Sequence, residues 1–109
     1  MTPVRGDPWL FDLGMAGKVR PALVISIAIG DADRALVTAV PHTTSLRGSP
    51  FEIPVSVSFL RTGTFVVQGL STYPHVRAIR KLGVLKPEQF RLVFTSVLRW
   101  LGETHPPEP

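Results

Sequence analysis

Only one stretch of this chain has convincing helical spacing, and that restricts the fold to a mainly β architecture. Phe90, Val93, Phe94, Val97, Leu98 and Leu101 recur at the interval of an amphipathic helix. Pro87 suits its first position and Gly102 its stop. Upstream, every apolar run is short and bounded by turn residues. Trp9 and Phe11 share one face of a first strand spanning Gly6 to Asp12. Leu13 to Lys18 reads as a loop. Leu23 to Ala28 is apolar except for Ser26, as in a strand buried on both sides. Gly30 to Asp33 turns the chain into a third strand, Ala35 to Val40.

Beyond the turn at Arg47-Gly48-Ser49-Pro50, Phe51, Ile53 and Val55 alternate with Glu52 and Pro54, predicting a half-buried strand. Thr64 to Val67 is another strand, and Val76 to Leu85 holds one more extended segment. Ser71-Thr72-Tyr73-Pro74 reads as a polar loop. Short strands followed by one terminal helix predict a small, strongly bent barrel with the helix packed on it. Exposed edges in so small a sheet favour a dimer. The expected domain is 1–102, followed by a disordered tail, 103–109, that lacks core-forming residues.

The length, 109 residues, suits one domain with a modest core. The formal charge of +4 is concentrated in the body of the chain. Up to Lys86, five acids face ten lysines and arginines, which points to a polyanionic partner or simply to a solvated basic surface. The absence of cysteine excludes disulfides, thiolate catalysis and sulfur-ligated metals. His42, His75 and His105 have no metal-site spacing, so neither metal nor cofactor is expected. With no signal peptide or apolar run of bilayer length, a cytoplasmic location is the expectation.

Two segments carry candidate chemistry. Val19-Arg20-Pro21-Ala22-Leu23-Val24-Ile25-Ser26 delivers an arginine at the mouth of a strand. Val40-Pro41-His42-Thr43-Thr44-Ser45 ends a strand in one imidazole and three hydroxyls. A fixed cation beside hydroxyls and a possible acid or base is what a phosphodiester-handling site needs. The guanidinium fork can hold two phosphate oxygens, or it can pair with Asp12 or Asp7. Thr43 can hydrogen-bond a reacting oxygen or satisfy a turn. His42 titrates near neutrality, but on a regular strand it and Thr43 face opposite sides.

These residues, in this order, resemble the MazF/PemK/Kid family of type II toxin endoribonucleases. The matching elements are Arg5-Gly6-Asp7-Pro8-Trp9-Leu10-Phe11-Asp12, Arg20-Pro21-Ala22-Leu23-Val24-Ile25-Ser26, Val40-Pro41-His42-Thr43-Thr44-Ser45, Pro50-Phe51-Glu52-Ile53 and Ile79-Arg80-Lys81-Leu82-Gly83-Val84-Leu85, with the terminal helix. The resemblance implies an SH3-like barrel of the MazF/Kid/CcdB type, forming a homodimer. It also implies metal-independent cleavage of single-stranded RNA, inhibition by a cognate acidic antitoxin, and a functional pair at Arg20 and Thr43. His42 is a third catalytic candidate. In one departure, Gln68-Gly69 stands where members commonly carry an acidic residue followed by glutamine. Some members have an arginine two residues earlier, where this chain has Val66.

Cleavage without metal or water needs a proton acceptor for the 2′-hydroxyl and a donor for the leaving 5′ oxygen. It also needs positive charge on the equatorial oxygens. The products are a 2′,3′-cyclic phosphate and a 5′-hydroxyl. Thr44, Ser45, Arg47, Tyr73, His75 and Arg77 are candidate RNA contacts. Tyr73 could stack on a base or plug a barrel end, and the cations could track phosphates or merely be solvated. Two other functions fit the same fold: a non-catalytic toxin that poisons gyrase by binding, and a degenerate binder of RNA or antitoxin.

Overall fold

Among the described residues, seven strands and one α-helix are arranged around a sheet that splits along one of its own strands. The computed structural model describes residues 2–14 and 18–103. The strands are β1 (Pro8–Asp12), β2 (Val19–Val24), β3 (Leu36–Thr43), β4 (Glu52–Ile53), β5 (Thr64–Val66), β6 (Ser71–Pro74) and β7 (Ala78–Lys81), followed by α1 (Pro87–Trp100). All pairings are antiparallel, in the order β4-β5-β3-β2-β1-β7. β3 bears two partners on its remaining edge: β6 along Leu36–Ala39, then β5 at His42 and Thr43. That division bends the sheet. The order ends at β4 on one side and β7 on the other, so the sheet is open.

The strands bury both faces. Leu23, Ile25 and Val40 join Phe65, Val67 and Leu85 beneath Val93 and Val97 of α1. Ala22, Val24, Val37 and Ala39 face the other way, onto Trp9 and Phe11. The helix begins with the Lys86 amide donating to Gln89 Oε1 at 2.9 Å and ends before Gly102, whose φ of 95° stops it. The Arg5 guanidinium lies over Phe90 and Phe94, 4.8 and 4.6 Å from the ring centroids, tying the N-terminal segment to α1. Among the described residues, no helix is long and apolar enough to cross a membrane.

The mainly β architecture and its terminal helix match the sequence expectation, but several elements differ. β2 starts at Val19 and ends at Val24, and Ile27 is 77% exposed. The reason is Ser26, whose Oγ accepts the Thr38 amide at 2.9 Å and takes over from the strand ladder. β3 runs on to Thr43 rather than stopping at Val40. β4 has only two residues, because Pro54 offers no amide to continue it. Residues 71–74, expected as a loop, form β6. Thr38 and Thr72 hydroxyls meet across this pair at 2.7 Å, and Tyr73 packs on Phe11 at 5.8 Å between ring centroids. Within the expected loop 13–18, residues 15–17 lie outside the described residues. So does 104–109 of the expected tail.

Candidate active site

Strand register brings the two candidate segments together. Ala22 pairs with Pro41, Leu23 with Val40 and Val24 with Ala39. The pairing ends at Ala22 and Pro41, and Arg20 and Thr43 lie two residues beyond it on their strands. Arg20 shares its strand face with Ala22 and Val24, and Thr43 shares its face with Pro41 and Ala39. The two therefore stand side by side on one surface, where β2 begins and β3 ends.

Two clefts meet at this pair. The first, about 420 Å³, is lined by Arg20, Thr43, Ser45, Arg47, Glu52 and Tyr73, among others. The second, about 260 Å³, also contains Arg20 and Thr43, with Thr44 and Arg61. Thr43 Oγ1 accepts the Ser45 amide at 3.1 Å, which directs the hydroxyl along the loop leaving β3. The carboxylates that could have neutralised Arg20 have other partners. Asp7 pairs with Lys81 at 3.3 Å, and Asp12 Oδ1 accepts the Gly14 amide at 2.9 Å. Among the described residues Arg20 has no carboxylate partner, so its charge is available to an anion.

Of the sequence-derived candidates, Arg20, His42, Thr43, Thr44, Ser45, Arg47 and Tyr73 line these clefts. His75 and Arg77 lie elsewhere, and His42 lines the clefts from a buried position. Because β3 is regular through Thr43, His42 turns to the opposite face from Thr43. It is 2% exposed and packs edge-on against Phe65 at 5.0 Å. Burial lowers its pKa below the ordinary 6.5, which favours the neutral ring. His75 lines a separate cavity of about 730 Å³ with Val4, Ile27 and Ile29. Arg77 donates to the Asp12 carbonyl at 3.5 Å and braces the chain after β1.

Glu52, which the sequence places only in a strand, also lines the first cleft. Its carboxylate accepts the Gly48 amide at 2.8 Å, and both its oxygens accept the Arg47 amide at 3.1 Å. This pins the loop that presents Arg47. Glu52 pairs with Val66, so a carboxylate reaches the first cleft from β4, although none precedes Gln68 on the neighbouring strand. The signal available in sequence was an acid just after a Gly-Ser-Pro turn.

The model of the PemK-like, MazF-like toxins of type II toxin–antitoxin systems matches residues 4–101. The chain belongs to this family. A mycobacterial endoribonuclease, solved in complex with its cognate antitoxin, is 27% identical, with a TM-score of 0.79 over 98% of this chain and 99% of that one. MazF from Deinococcus radiodurans shares the fold at 22% identity, with a TM-score of 0.81 over 94% of this chain and 98% of its own. The Mycobacterium tuberculosis toxin MazF-mt6 is 24% identical, with a TM-score of 0.73 over 87% and 95%. In this PemK-like, MazF-like toxin, the arginine and threonine expected to act together lie on one wall between two clefts.

Proposed function

We propose that this toxin is an endoribonuclease that cuts single-stranded RNA at Arg20 and Thr43, acts as a homodimer and is held inactive by an acidic antitoxin. The observation that carries the reading is that a guanidinium with no carboxylate partner among the described residues and a hydroxyl, each two residues beyond the β2–β3 pairing, line the same two clefts. Family membership and the likeness to a mycobacterial endoribonuclease support it.

The chemistry follows from these groups. The 2′-oxygen attacks the adjacent phosphorus, the bond to the 5′ oxygen breaks, and the 2′ proton passes to an acceptor. The departing oxygen takes up a proton. Arg20 holds the equatorial oxygens as their charge builds, the stage at which a fixed cation in a partly enclosed site is most effective. Thr43 orients the reacting oxygens by hydrogen bonding. Guanidinium does not readily give up a proton, so Arg20 is assigned electrostatics rather than proton transfer. His42, buried with its ring against Phe65, is not assigned to the proton relay.

The test is digestion of a mixed-sequence RNA by purified protein in chelator. Discrete fragments ending in 2′,3′-cyclic phosphate are expected from the wild type and not from Arg20→Ala. Intact RNA with the wild type, or equal cutting by both, contradicts the proposal.

A further inference from the structure

The second cleft has features that the cleavage chemistry leaves unused. It lies between the β2 and β3 ends and the segment Phe59–Arg61, with apolar walls that include Leu10, Pro21, Phe59 and Leu82. Phe59 is fixed in place by Gly83. A Cβ at that position would fall 2.5 Å from the Phe59 ring, so the ring packs directly on the glycine backbone. His42 also lines this cleft, and its Nε2 is buried with no hydrogen-bond partner among the described residues. An orphaned imidazole nitrogen in a native fold calls for a partner, since leaving it unpaired is costly. At the mouth, Arg61 is exposed and has no carboxylate partner among the described residues.

Apolar walls, one polar group without a partner and a cation at the entrance match a flat heteroaromatic ring attached to a phosphate. The cleft shares Arg20 and Thr43 with the first one, so a ring seated in it adjoins the phosphate those residues hold. We infer that this cleft is a nucleobase subsite. It receives the base next to the scissile phosphate between Pro21 and Phe59, with His42 meeting the base edge and Arg61 facing the next phosphate. The base on the other side of the cut goes to the Tyr73 cleft. This assignment rests on the endoribonuclease reading and adds the origin of base preference.

The experiment is digestion of an RNA pool of randomised sequence, with both ends of every fragment sequenced. Wild type, Arg61→Gln, Phe59→Leu, His42→Gln and Tyr73→Leu are compared. Phe59→Leu and His42→Gln should weaken the base preference at one position on one side of the cut by about fivefold, whereas Arg61→Gln, which loses a phosphate contact, should slow cutting of all sequences alike. Tyr73→Leu should change the opposite side. An unchanged preference in Phe59→Leu, or equal changes on both sides, overturns the subsite while leaving the ribonuclease reading intact. A wild type that does not cut overturns both. If His42→Gln fails to fold, the variant at Phe59 reads the same position.

Discussion

At the scale of single residues, the proposed mechanism places the chemistry on Arg20 and Thr43, and their effects should separate from stability. Arg20→Ala is expected to lower the single-turnover rate by about a hundredfold to a thousandfold, as for other preorganised charge-stabilising donors. The thermal midpoint should change little. Thr43→Val keeps the side-chain shape and removes one hydrogen bond to a charged group, which predicts a loss of about tenfold to a hundredfold. His42 should act differently, through pH-dependent stability. Its folded pKa lies below the ordinary 6.5, so the unfolded chain binds the proton more readily. Stability from this burial is present above pH 6.5 and is lost as pH falls below that value toward the folded pKa. Urea melts from pH 7.5 downward should show the decline in wild type and a flatter profile in His42→Gln. Arg20 and Thr43 were legible in sequence because a strand-mouth arginine and a strand-end hydroxyl are distinctive together. Glu52 was not, since an acid that receives backbone amides looks the same as a solvated one.

Among the elements, the approach of the β5 segment to β3 is the most demanding contact near the site. A Cβ on Gly63 would lie 2.2 Å from the Thr43 carbonyl oxygen and 2.9 Å from the His42 ring. Gly63→Ala must therefore push β3 and the segment before β5 apart exactly where Thr43 is held. It is expected to cost about 1–3 kcal/mol in chemical denaturation, the range for overpacking a tight contact, and to reduce cleavage as well. An unaltered rate in a destabilised Gly63→Ala protein would show that Thr43 tolerates displacement. The same local physics explains which elements sequence reading located. The α1 periodicity and the Pro87 and Gly102 signals specify their element without help from elsewhere. β2 was shifted because its apolar run continues past Ser26, whereas its ladder does not. β6 escaped notice because its contacts are a threonine pair and one tyrosine, which alternation of apolar residues does not reveal.

For the whole molecule, β3 is divided between two partner strands, and the chain carries a formal net charge of +4 that favours a polyanion. The fold class was legible from short strands and one helix, and the family from five short motifs in order. The splitting of β3 between two partners was not, because pairing across distant segments leaves no periodic trace. RNA affinity should fall with salt, and Arg47→Ala should reduce the slope of log K against log salt by about 0.7 if it meets one phosphate. The central claim is narrower: Arg20 and Thr43 act together on one phosphate. A double-mutant cycle with Arg20→Lys and Thr43→Val, measured as single-turnover cleavage, tests it most directly. The double variant is expected to cut about as slowly as the slower single variant, because both groups serve the same transition state. Two rate losses that simply multiply would mean that the groups act independently and would contradict the account.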